Sequence, residues 1–147
     1  MTRIGVELDG MAQLLGQLKA LGEDAEDVVI ETITDLVMDT QAFAIQGIQG
    51  GGGGRVYEKY NPRRTHRASA PGAYPATDTG RLASSVRVIM PTAASLSGEV
   101  GTAVKYGAWL EFGTSRMAAR PWLLPSFEKA KIGIEKELKT RIEAMVK

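Results

Sequence analysis

Residues 111–130 read EFGTSRMAARPWLLPSFEKA, and the fold turns on this segment. Gly113 predicts the end of one helix, and Pro121 lies near the start of another, where a proline's missing amide costs little. Pro125 still falls close to that first turn. Beyond it Phe127, Ala130, Ile134, Leu138, Ile142 and Met145 make a single apolar stripe, the pattern of a helix with one buried face. Glu135 with Lys139 and Glu137 with Arg141 are spaced and oriented to support that helix. Between the two helices lies a short loop of small residues carrying Arg116, Met117 and Arg120, flanked by Glu111, Phe112 and Trp122. Aromatic, Arg and Met side chains are common at interfaces, but a tight connection between two packed helices has the same composition.

Working back toward the N-terminus, Ala103–Phe112 reads as a brief helix with Tyr106, Trp109, Leu110 and Phe112 as its apolar payload. Val86, Val88 and Met90 alternate with Arg87 and Ile89, and Leu96, Gly98 and Val100 alternate with Ser97 and Glu99. These two runs predict an antiparallel hairpin across the turn at Pro91–Ser95. Asp78 or Thr79 is placed to cap a short helix that buries Leu82. Further back, Val29, Ile33, Leu36, Thr40, Phe43 and Ala44 form one stripe of a long amphipathic helix over about residues 23–47. Ile4, Val6 and Leu8 alternate as a short strand, and Met11, Leu14, Leu15, Leu18 and Leu21 follow at helical spacing.

The segment between these halves differs from both. Gly50–Gly54 is an unbroken glycine run, and Pro62, Pro71 and Pro75 follow. Ordering five glycines is entropically expensive, so residues 50–77 read as a flexible basic arm. From Arg55 to Arg67 it carries Arg55, Lys59, Arg63, Arg64 and Arg67 against Glu58, with Tyr57 and Tyr60 interleaved. Basic and aromatic residues together suit phosphate-backbone contact. They equally suit an arm that orders against an acidic protein neighbour.

Catalytic signatures are sparse. His66 is the lone histidine, flanked by basic residues with no adjacent carboxylate. Ser84 and Ser85 have no base nearby in sequence, and the glycine run lacks the Lys-Ser/Thr of a phosphate-binding loop. There is no cysteine, which removes disulfides and thiolate chemistry. The net charge of +1 argues against a polycation. No run reaches the roughly 18 apolar residues of a membrane span, and the N-terminus has no signal-type apolar core, so a soluble protein made in a cytoplasm is expected. The reading is one α+β domain over residues 1–147: a small antiparallel sheet packed on a long second helix and a C-terminal helix, with a long Gly-rich mobile loop. It is read as a non-enzyme without catalytic, cofactor or metal residues.

Two longer segments, SAPGAYPATDTGRLASSVRV and VGTAVKYGAWLEFGTSRMAARPWLLPSFEKA, resemble the neck or tail-completion proteins of long-tailed bacteriophages. The shared elements are Ala70-Pro71-Gly72 and Pro75, Asp78-Thr79-Gly80-Arg81-Leu82, and Val100-Gly101 leading to Tyr106. Glu111-Phe112-Gly113-Thr114 and Met117-Ala118-Ala119-Arg120-Pro121 with Leu124 complete the set. Ala73-Tyr74 stands where an acidic residue followed by proline is commoner, and the glycine run lengthens the preceding loop.

The resemblance implies a structural virion part at the head–tail junction, present in the host cytoplasm before assembly. It would form a ring, with six copies as the expectation, between head connector or stopper and tail-tube or terminator proteins. Weak contact with DNA in the channel and no membrane contact are implied too. On this reading Arg55, Tyr57, Tyr60, Arg63, Arg64 and Arg67 of the arm, with Glu111, Phe112, Arg116, Met117, Arg120 and Trp122, supply subunit or partner contacts. The alternative is a nucleic-acid-binding accessory domain acting through the basic arm.

Overall fold

The computed structural model describes residues 23–60 and 63–145. The expected N-terminal strand and Leu-rich helix lie outside the described residues. The chain is α+β. Helix α1 spans Glu23–Gly50, and strands β1 (Gly53–Tyr60) and β2 (Arg63–Ser69) follow. Then come the short helix α2 (Arg81–Ser85), strands β3 (Val86–Ile89) and β4 (Glu99–Thr102), and helices α3 (Lys105–Phe112) and α4 (Leu124–Met145).

Helix α1 organises the rest. Val29, Ile33, Val37, Ala44 and Ile48 face a core completed by Leu82, Ala83, Val86, Val100, Trp122 and Leu123. A second cluster joins Leu36 of α1 to Ala130 and Ile134 of α4, with Phe43 and Phe127 partly covering it. The buried Thr40 donates its hydroxyl to the Leu36 carbonyl at 2.6 Å, so a polar group inside this face has a partner. Each fully buried aliphatic side chain contributes roughly 1.5–3 kcal/mol by leaving water.

The expected single sheet is two separate antiparallel ribbons. β3 and β4 pair in unbroken register from Val86–Thr102 to Ile89–Glu99 and lie against α1. The second ribbon, β1 with β2, corrects the reading of residues 50–77 as a mobile loop. Gly50 ends α1, and Gly53 and Gly54 enter β1. The glycines supply an irregularity between Gly53 and Val56, where β1 carries one more residue than β2. Gly53 has φ +98°, a conformation that costs other residues dearly. The remaining register runs from Val56–Arg67 to Tyr60–Arg63. No described helix packs extensively along this ribbon, and Val56, Tyr57 and Tyr60 are exposed.

The expected Asp78 or Thr79 cap is also corrected. Gly80 holds the N-cap of α2 with φ 73° and no side-chain cap. Its amide donates to Thr77 Oγ1 at 3.1 Å, leaving Asp78 free for another task.

Candidate interaction site: a braced loop and a latched hairpin

The loop between α3 and α4 is organised by a carboxylate. Glu111 lies on the inner side of α3 and is 7% exposed. Its Oε2 accepts the amides of Trp122 at 2.8 Å and Leu123 at 2.9 Å, and its Oε1 accepts the amide of Leu124 at 2.9 Å. These amides open α4 and would otherwise lack acceptors. The positive end of the α4 dipole also favours a negative group there. Trp122 is fully buried and donates its indole N–H to the Gly107 carbonyl at 2.9 Å. Glu111 and Trp122, offered above as interface residues, therefore brace the fold within one chain.

The segments carrying the resemblance meet around this brace. The Arg120 amide donates to the Leu110 carbonyl at 2.6 Å, and the Gly72 amide to the Ala119 carbonyl at 2.9 Å. Arg120 Nε reaches the Ser69 carbonyl at 3.2 Å, fastening the end of β2. The Tyr74 and Ser126 hydroxyls share a hydrogen bond at 2.9 Å, and Ser126 Oγ donates to the Trp122 carbonyl. Tyr74, at the position where the family pattern differs, is thus built into the core. Thr114 and Met117 exchange backbone hydrogen bonds and fold the loop tip into a turn, with Arg116 exposed on it.

Aromatic groups lie on the opposite side of α3. Trp109 is 56% and Phe112 72% exposed, which corrects their reading as apolar payload. Gly107 and Glu111 occupy the buried face instead. Trp109 was not among the expected contact residues, although its spacing from Phe112 places both on one helix face.

The β1–β2 hairpin carries the remaining candidates. Strand alternation and register divide it into two faces. Lys59, Arg64 and His66 share the inner face and converge on Asp78. Lys59 Nζ bonds to Asp78 Oδ2, Arg64 Nη2 lies 2.9 Å from Oδ1, and His66 Nδ1 lies 3.9 Å from Oδ1. The hydrogen bond from Lys59, followed by the charge of Arg64, holds the Asp78 carboxyl below its ordinary value against partial desolvation. His66 thus faces a carboxylate after all, one that is twelve residues away in sequence.

Val56, Tyr60, Arg63 and Arg67 share the outer face, where Tyr60 donates to Glu58 at 3.1 Å. Arg55, near the irregularity, stands 5.5 Å from the centroid of the Tyr57 ring. Arg55, Arg63 and Arg67 make no ion pair among the described residues. The twelve candidates therefore form four groups: a buried brace, an exposed loop tip, a projecting hairpin and Phe112 on the exposed face of α3.

Among the described residues no group of three or more His, Asp or Glu side chains is arranged to hold a metal ion. No described helix is long and apolar enough to cross a membrane. Comparison with models of known families, with curated proteins and with solved structures finds no match in any of the three.

Proposed function

We propose that this chain is a structural subunit of the head–tail junction of a long-tailed phage or tail-like particle, working as a ring of identical copies. The observation carrying the reading is the convergence of the motif segments. Ala70–Gly72 is 39 residues before the neighbouring segments Glu111–Thr114 and Met117–Pro121 in sequence, yet one hydrogen-bonded unit holds all three beside the α4 N-terminus. Residues that resemble a family pattern have a shared physical task here: they fix the base from which the hairpin and the α3 aromatic face project. A closed ring requires two different patches on each subunit, and a braced core with two exposed projections suits that demand.

The nucleic-acid alternative receives less support. Lys59 and Arg64 are committed to Asp78, which leaves Arg55, Arg63 and Arg67 as the hairpin's cations for phosphate. The discriminating experiment measures the mass of the purified protein by light scattering, alone and after mixing with connector and tail-tube proteins of the same particle. Ring-shaped species in electron micrographs, alone or on a partner, are expected. A chain that stays monomeric in every mixture, or one that binds single-stranded DNA in preference to them, overturns the reading.

A further inference from the structure

Among the described residues the outer face of the hairpin has no packing partner, and α1 carries a surface that matches it. Helix α1 has seven acidic residues and no Lys, Arg or His. Asp27, Glu31, Asp35 and Asp39 recur at every fourth position, so they form one ladder along the helix. Like charges at this spacing destabilise a helix. Of the described acidic side chains of α1, only Glu26 and Asp27 lie near enough to the N-terminus to benefit from the helix dipole. Arg141 from α4 relieves the middle of the ladder, lying 3.2 Å from both Glu31 and Asp35. Asp27 and Asp39 make no ion pair among the described residues and are exposed. Met38, 47% exposed, lies on the same helix face.

We infer that the outer face of the hairpin docks on the Asp27–Asp39 face of α1 in a second copy of this chain. The inference rests on the ring reading above and names the two patches it needs. Arg63 and Arg67 stand four residues apart on one strand face, roughly 13 Å. Glu31 and Asp39, or Asp27 and Asp35, stand eight residues apart on a helix, roughly 12 Å. The apolar hairpin residues opposite these arginines, Tyr60 and Val56, meet the Met38 side of α1. The hairpin follows the C-terminal end of α1, whereas the ladder occupies its N-terminal half, and no extensive packing joins hairpin to α1 within one chain. The contact is therefore made head to tail between copies, the geometry that closes rings or grows filaments. Its charge complementarity sets register and speeds association, and added salt weakens it.

The test is a charge exchange on the full chain. R63E/R67E and D27K/D39K are each expected to keep the wild-type circular dichroism spectrum and to weaken self-association at least tenfold by sedimentation velocity. Mixing the two variants, or combining all four substitutions in one chain, restores association. A wild-type oligomer that survives both double variants overturns this interface and leaves the ring reading standing. Loss in the variants without recovery on mixing also overturns it. A wild-type chain that is monomeric at all concentrations, alone and with connector and tail-tube proteins, overturns both.

Discussion

The carboxylate of Glu111 and the amide of Leu124 are thirteen residues apart in sequence and 2.9 Å apart in space. Through that contact and its two companions, one helix supplies the N-terminal acceptor that the next lacks. Pro125, with no amide of its own, follows immediately. Glu111→Ala strips three donors of their acceptor, two buried and that of Leu124 part-buried, and unmet buried donors are costly. A loss of about 3 kcal/mol in denaturant unfolding is expected. Glu111→Gln keeps one acceptor oxygen and should lose less. Equal stability of Glu111→Ala and wild type would show that solvent satisfies those amides.

The Asp78 cluster makes hairpin docking depend on pH. The folded carboxyl titrates below its ordinary value of about 3.9, so its contribution is fully present above that value. It is lost as pH falls through the lowered folded value. Protection factors of the β1 and β2 amides, which correct for the intrinsic pH dependence of exchange, should therefore be high near neutrality and fall below about pH 4. In Asp78→Asn those amides should exchange faster already at neutral pH, without the acid step. An acid step that persists in this variant would assign the effect to another group.

Gly107 tests how closely α3 approaches β4. A methyl group there would stand 2.5 Å from Cγ2 of the buried Thr102 and 3.3 Å from a Leu82 methyl carbon. Alanine is the better helix former by about 1 kcal/mol, but overpacking costs about 1–3 kcal/mol, and the strand cannot yield easily. Gly107→Ala is expected to lower Tm, and a higher Tm would show that α3 can shift outward.

The exposed aromatics give the opposite pattern. Trp109→Ser with Phe112→Ser removes side chains that are mostly in water, so the unfolding free energy should change by about 0.5 kcal/mol or less. Assembly with copies or particle partners should fall, as read by sedimentation. Unchanged assembly would remove α3 from the contact surface.

How legible these features were in sequence varied with burial. The α1 stripe from Val29 to Ala44 and the β3 alternation were readable because one face of each is buried, which forces a period into the residues; the second strand, expected over Leu96–Val100, lies instead at Glu99–Thr102. β1 and β2 were not readable. GGRVYEKY and RRTHRAS have polar or charged groups on both faces, so no period-two signal arises, and the glycine run pointed to disorder. Besides Arg120 at the end of β2, what ties the hairpin down is Asp78, whose role as an ion-pair partner cannot be read from its neighbours. Its sequence suited a helix cap equally well. At the Glu111 loop the residues were recognised, but the split between brace and surface depends on helix rotation. Around α3 that rotation buries Gly107 and Glu111 and turns Trp109 and Phe112 outward, against hydrophobicity. No pattern in eight residues could fix it.

Two separate ribbons also mean that, among the described residues, every strand has one edge whose backbone donors and acceptors are unpaired by a third strand. Such edges invite strand addition from other chains. Lysine and arginine along β1 and β2 guard against indiscriminate sticking by keeping the ribbon hydrated and mutually repulsive. Neutralising them to sharpen a contact would thus carry a second penalty, a tendency toward amorphous precipitation.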